Sequence, residues 1–227
     1  MPADSERLRT LADLVLPGRP MADVGTDHAA LPAGLVAAGR VPSAVGIDLR
    51  EGPLVGARAT AAALGLADDP RLSLRVGDGL GPLLPGEVAT VVIAGMGGLR
   101  ILDLLRRAPR VLSTLARLVL QPNTDLPAVR AGLVGLGLSL VDERLVLERG
   151  QAFTLLVAEP GPSPALDEAA LLLGPHLLAR REPPFLAWLA REEQRLSHAV
   201  QAAGRSARGR RLAGELLLVR RALAGPG

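Results

Sequence analysis

The sequence predicts a doubly wound α/β domain followed by a small all-helical one. Three observations carry that prediction. Short apolar runs of strand length alternate with Ala- and Leu-rich stretches of helix length from residue 21 to residue 136, the pattern of a parallel sheet covered by helices. Two further strand-like runs, Ser139 to Leu147 and Ala152 to Ala158, are joined by Glu148-Arg-Gly-Gln151, and a four-residue connection containing Gly signals an antiparallel hairpin. Then Pro160-Gly-Pro-Ser-Pro164 punctuates the chain, and everything beyond it has helical spacing. Two domains are expected, 1–162 and 163–227.

Ser5 to Leu16 places apolar residues at 8, 11, 12, 15 and 16, a helix capped by Asp4 or Ser5 and stopped by Pro17-Gly18. Met21 to Val24 is a buried strand that breaks at Gly25 into Thr26-Asp27-His28, and Ala29 to Ala38 is the helix after it. Strand, glycine turn and helix present a ligand at the carboxyl end of the first strand. A dinucleotide fold sets neutral glycines here so that a pyrophosphate can approach. This turn holds a carboxylate and an imidazole instead, so Asp27 repels an anion and accepts a cation.

Ala44 to Asp48 is a second strand ending in an acid, 23 residues beyond Gly25. An acid at that spacing hydrogen-bonds a ribose hydroxyl pair; capping the next helix, Pro53 to Leu64, is the alternative. Leu72 to Val76 is a third strand, followed directly by Gly77-Asp78-Gly79. Asp78 supplies an acceptor for the exocyclic amine of an adenine, with a plain Asp-Gly turn as the alternative. Ala89 to Ala94 is a fourth strand ending in Gly95-Met-Gly-Gly98, where Met96 offers a polarizable wall to a ring. A Leu-rich helix runs from there to Arg107. Leu118 to Asn123 is a fifth strand, and Asp125 to Leu136 a helix. Five βα units are therefore expected before the closing hairpin, seven strands in all. The count and the antiparallel edge suit a class I S-adenosylmethionine-dependent methyltransferase, a Rossmann-like fold. A dehydrogenase would carry G-x-G-x-x-G at the first turn, which is absent.

Beyond the linker, Leu166 to Arg181 is helical with a break at Gly174-Pro175. Phe185, Leu189, Leu196, Ala199 and Ala203 form one seam, interrupted by Glu192. After a Gly204-to-Gly209 turn, Leu212, Leu216, Val219 and Leu223 form another. Two or three heptads per segment fall short of a free-standing coiled coil and fit an antiparallel helical hairpin. Its tip carries Arg205, Arg208, Arg210 and Arg211.

All 26 basic residues are arginine, and Asn123 is the sole asparagine. The net charge of +3 is unevenly spread. Residues 1–162 hold 16 Arg against 17 acids, and residues 163–227 hold 10 Arg against 6 acids. Between 195 and 221, seven arginines face Glu215 alone. Such a basic face is an electrostatic footprint for nucleic acid, and equally a solvated helical face. There are no cysteines, which excludes disulfides and thiolate metal sites, and the three histidines, 28, 176 and 198, are too far apart to suggest zinc. No uncharged run of about 18 apolar residues exists, and Met1 to Arg7 has no apolar signal region. A cytoplasmic protein with no metal and no membrane partner is expected.

Ala22-Asp-Val-Gly-Thr-Asp-His28 with Leu31-Pro32, Glu51-Gly-Pro53, Gly77-Asp-Gly-Leu80, Ile93-Ala-Gly-Met-Gly-Gly98 and Leu120-Gln-Pro-Asn123 occur in order. In register they resemble the bacterial tRNA (adenine-22-N1)-methyltransferase family, nearly end to end. The resemblance implies a class I methyltransferase domain with a C-terminal coiled-coil-like domain. It implies S-adenosylmethionine as donor, with S-adenosylhomocysteine as product, and N1 of an adenosine in the tRNA D-region as acceptor. It also implies that Gly25, His28, Asp48, Asp78, Gly79, Ala94, Gly95 and Met96 hold the cofactor, and that Asp27 is the catalytic carboxylate, N-capping of the following helix being its alternative. Gln121 and Asn123 are placed to hydrogen-bond an adenine edge, with Asn123 as a turn-former the alternative. The arginine tip is expected to contact tRNA phosphates. The family usually has Tyr where this chain has Ala30, and often Tyr where it has Phe153. Two other functions remain open: a small-molecule methyltransferase on the same fold, which would not need the basic appendage, and a non-catalytic RNA-binding protein with a vestigial pocket.

Overall fold

The computed structural model describes residues 5–225. The chain divides into two compact units, Met1–Pro164 and Ala165–Gly227. The first is built on a seven-stranded sheet of β1 (Met21–Val24), β2 (Ala44–Asp48), β3 (Leu72–Val76), β4 (Thr90–Gly97), β5 (Arg117–Thr124), β6 (Leu138–Glu148) and β7 (Gln151–Pro160). Their order is β3-β2-β1-β4-β5-β7-β6. The first five strands run parallel, and β7 inserts antiparallel between β5 and β6. Its helices are α1 (Glu6–Leu14), α2 (Ala30–Ala37), α3 (Glu51–Ala63), α4 (Gly98–Arg106), α5 (Pro109–Leu112) and α6 (Leu126–Gly135).

The central strands are predominantly apolar because both faces of the sheet are covered. Along β5, Leu118 and Leu120 pack with Ile101, Leu105, Val129 and Leu133 of α4 and α6. Val119, pointing the other way, packs with Leu11, Leu31 and Leu35 of α1 and α2. Each such leucine contributes roughly 1.5–3 kcal/mol of burial. A buried ion pair interrupts this interior. Arg130 on α6 and Glu143 on β6 are 1% and 0% exposed and meet at 2.8 Å.

In this first unit three expectations need correction. Residues 77–89 join β3 to β4 without a helix, because Gly77, Gly79, Gly81, Pro82, Pro85 and Gly86 break any helical run. There are therefore four strand–helix units rather than five. A short helix, α5, opens with a proline in its first turn where none was expected. The hairpin loop has two residues, not four. Arg149 and Gly150 both take positive φ, 50° and 80°, the type I′ turn that matches strand twist.

The second unit comprises α7 (Glu168–Leu173), α8 (Pro175–Arg180), α9 (Pro183–Ala203) and α10 (Ala207–Ala224). Asp167 caps α7 by accepting from the Ala170 N–H, and Gly174-Pro175 makes the expected break. Phe185, Leu189 and Leu196 on α9 and Leu212, Leu216, Val219 and Ala222 on α10 are buried. Ala222 thus replaces Leu223 at the end of the seam. The tip is a turn of three residues, 204–206, shorter than expected, because Ser206 caps α10 by accepting from Gly209 N–H. Arg220 reaches across to Glu193 at 2.8 Å. Trp188 stacks on Phe185 with ring centres 5.8 Å apart. Among the described residues, no helix is long and apolar enough to cross a membrane.

Candidate active site

The sheet order reverses at β1, which has β2 on one side and β4 on the other. At such a switch point the flanking loops diverge and leave a crevice at the carboxyl ends. Gly25 turns the chain there with φ 79°, a conformation costly for a side chain. Its N–H and that of Thr26 both donate to the Ile47 carbonyl, at 2.8 and 3.0 Å, which ties the turn to β2. A Cβ on Gly25 would lie 2.5 Å from the Met96 methyl, so Met96 closes over the turn. Asp27 and Ala29 follow with φ 37° and 52°. Left-handed non-glycine residues cost on the order of 1 kcal/mol each, so the turn stores strain.

Two hollows open at this edge, of about 240 and 390 Å³, and Gly25 lines both. Asp48, Asp78, Gly79 and Met96 line the first. Asp27, His28, Ala94 and Gly95 line the second. The sheet thus brings together every residue expected to hold the donor, together with Asp27. Asn123 stands just behind, its amide nitrogen donating to the Gly95 carbonyl at 2.8 Å. Arg205, Arg208, Arg210 and Arg211 are exposed in the helical unit. Arg210 donates to the Arg205 carbonyl at 2.9 Å, and Arg211 lies 3.7 Å from Glu215.

The N-cap of α2 is Ala29, and no side chain caps it. Asp27 is therefore not spent on the helix. Its carboxylate is 76% exposed, 3.7 Å from the His28 Nε2. Asp48 accepts from the Arg50 N–H through Oδ1 at 3.0 Å, leaving Oδ2 uncommitted. Leu49 beside it is 60% exposed, an apolar face in a hollow of acids. Acceptors for hydroxyls beside two apolar walls, Leu49 and Met96, fit a nucleoside.

Asp78 differs from the lone acceptor that was expected. Arg100 holds its Oδ1 at 2.6 Å and Arg107 its Oδ2 at 2.8 Å. These contacts, the Arg107 hydrogen bond foremost, hold the carboxyl below its usual range. The arginines stand seven residues apart, Arg100 on α4 and Arg107 at its C-cap, on one face, with Asp103 between them at 3.0 and 3.2 Å. That i, i+3, i+7 spacing is the sequence signal for the pairing. A second acid, Asp23, lies inside the otherwise apolar first strand. It is 8% exposed in the wall of the second hollow, with the Thr26 hydroxyl donating to it at 2.7 Å. Burial pushes its carboxyl up to about 6, and the Thr26 bond offsets part of that rise. Arg7 of α1, which no local pattern singles out, also lines the second hollow.

Residues 4–156 match the methyltransferase domain family. The chain is also 35% identical to the Bacillus subtilis tRNA (adenine(22)-N1)-methyltransferase over 187 residues, 80% of this chain and 78% of that protein. The chain belongs to this family. The crystal structure of the B. subtilis m1A22 tRNA methyltransferase matches with TM-score 0.84 at 31% identity, covering 96% of this chain and 98% of that one. A Streptococcus pneumoniae relative, solved in complex with S-adenosyl-L-methionine, matches with TM-score 0.88 at 30% identity, over 97% and 99% of the two chains. The fold shared with these relatives is the Rossmann-like methyltransferase sheet with helices after it.

Proposed function

We propose that this chain transfers the methyl group of S-adenosylmethionine to N1 of adenosine 22 in tRNA. Membership of the family supports this, and one feature of the site carries it. A nucleoside-shaped hollow and an open carboxylate share a single glycine at the switch point of the sheet. When bound, S-adenosylmethionine supplies an electrophilic methyl group on a sulfonium.

The roles of individual residues follow from their chemistry. Asp48 accepts from ribose hydroxyls through its uncommitted oxygen. Asp78, backed by two guanidinium groups, retains lone pairs for an exocyclic amine. Leu49 and Met96 cover the ring, and Gly25 lets the backbone approach. In the second hollow Leu8, Leu11 and Leu31 exclude water from the acceptor. N1 of adenine already carries an in-plane lone pair, so attack needs no prior deprotonation. The methylated ring becomes positive. Asp27 stabilises that charge, or takes a proton from the exocyclic amine. His28 flanks the carboxylate, its Nε2 3.7 Å away. Asn123 orients the acceptor edge.

A base within folded tRNA must first be exposed, at a cost of a few kcal/mol. Phosphate contacts from Arg205, Arg208, Arg210 and Arg211 offset that cost and set the register. On this reading the helical unit is the docking module, the reaction needs no metal, and the enzyme works in the cytoplasm, where its substrate is.

Mass-spectrometric nucleoside analysis tests the function. Unmodified tRNA incubated with enzyme and labelled donor should yield labelled 1-methyladenosine at position 22. Label in a small metabolite with none in tRNA would place the enzyme in another substrate class.

A further inference from the structure

We propose that Arg7 is a positioning residue for methyl transfer, acting through two amides to fix what Asn123 shows the acceptor base. The proposal rests on the function given above. Arg7 is itself held. Ser5 caps α1 by accepting from Leu8 N–H at 3.1 Å. Glu148, at the end of β6, accepts from the Arg7 N–H and the Ser5 hydroxyl, both at 3.0 Å. A carboxylate at a helix N-terminus is favourable, so the hairpin anchors the start of α1. The Arg7 guanidinium then lies over Phe153, its central carbon 5.0 Å from the ring centre.

From there a hydrogen-bonded chain crosses the carboxyl edge of the sheet. Arg7 Nη1 donates to Gln121 Oε1 at 2.7 Å. Gln121 Nε2 donates to Asn123 Oδ1 at 2.9 Å. Asn123 Nδ2 donates to the Gly95 carbonyl at 2.8 Å. The direction of this chain follows from its ends. A guanidinium only donates and a backbone carbonyl only accepts. Gln121, 1% exposed, must therefore turn its oxygen to Arg7, and Asn123 must turn its nitrogen to Gly95. Neither amide is free to reverse while both ends hold. Among the described residues, Arg7 Nε is also the buried side-chain polar atom left without a partner, an unfavourable feature of the kind retained at functional sites.

The direction matters because the Watson–Crick edge of adenine sets an N–H donor beside the N1 lone pair. Asn123 Oδ1 keeps one lone pair beyond the bond from Gln121, and it accepts from the exocyclic amine. A reversed Asn123 would offer an N–H to N1 and occupy the lone pair that must attack. Arg7 lines the same hollow as Asp27 and Gly95, so the chain begins and ends at the acceptor wall.

The test is single-turnover methyl transfer to tRNA by wild type, Arg7→Met, Arg7→Lys and Gln121→Glu, with donor and tRNA affinities and thermal midpoints measured alongside. Arg7→Met removes the donor, and Gln121→Glu accepts from Arg7 but cannot donate to Asn123. Both should slow transfer roughly 10- to 100-fold, the scale of a misplaced reactant, with affinities within about threefold of wild type. Arg7→Lys restores a donor and should recover most of the rate. Combining Arg7→Met with Gln121→Glu should cost little more than either alone. Normal rates in Gln121→Glu would overturn the proposal even if Arg7→Met fails to fold. So would Arg7→Lys as slow as Arg7→Met, or a rate loss matched by equal losses of affinity and melting temperature. A wild type that leaves tRNA unmethylated refutes the function itself, whereas transfer by wild type and Arg7→Met alike refutes only the positioning role.

Discussion

Donor affinity should depend on pH through Asp23. The carboxyl is 8% exposed, and burial raises it from 3.8 to about 6. At about 1.4 kcal/mol per unit, its ionised form is disfavoured by on the order of 3 kcal/mol. A cationic ligand beside it reverses that penalty, since an opposite charge favours ionisation. If binding returns the carboxyl to about 4, S-adenosylmethionine should bind roughly tenfold more weakly at pH 5 than at pH 8. Calorimetric titration at constant ionic strength, comparing wild type with Asp23→Asn, measures this. The variant changes no other residue of the site, so every other pH-dependent contribution cancels in the comparison. A flat wild-type profile, or an equal slope in the variant, would refute the coupling. Stability follows the same linkage. Because the folded-state value lies above the unfolded one, Asp23 costs nothing below about pH 4 and its full penalty above about pH 6. Asp23→Asn should therefore raise the melting temperature at pH 8 and leave it unchanged at pH 4.

Other perturbations separate the remaining parts. Asp27→Ala should keep donor binding, seen by calorimetry, and lose methyl transfer in a tritium assay by roughly 10²- to 10⁴-fold, the range for a positioned proton-transfer group; near-normal turnover would remove Asp27 from the chemistry. Replacing Arg205, Arg208, Arg210 and Arg211 together with Ala should weaken tRNA binding and flatten its salt dependence by up to about four phosphate contacts. An unchanged slope would put the docking surface elsewhere. Arg130→Met should cost about 3–5 kcal/mol in urea unfolding by removing one half of the buried Arg130–Glu143 ion pair, and adding Glu143→Leu should restore most of it. A single substitution as stable as wild type would show that water reaches the pair.

The parts of the fold that are local in sequence were legible. Ala44–Asp48 could be bounded to the residue because a doubly covered parallel strand is a continuous apolar run, and Leu72–Val76 because a half-buried edge strand alternates apolar and polar residues. The crevice acids were legible for the same reason, since each stands where such a run stops. Asp23 was hidden by being inside a run rather than after it. The Asp78 pairing was legible in principle, from the spacing of Arg100, Asp103 and Arg107. Arg7 was not. Its partner Gln121 is 114 residues away, and only closure of the sheet against α1 brings them together. Between β3 and β4 the strand–helix alternation lapses because the glycines and prolines of residues 77–89 break any helical run. The hairpin and tip turns came out shorter than expected because capping and type I′ geometry need fewer residues than polar composition suggests.

Trp188, stacked on Phe185, is the chain's sole tryptophan, and there is no tyrosine. Tryptophan emission from this enzyme therefore originates in α9 alone. A fluorescence change on adding tRNA reports on the helical unit with no engineered label.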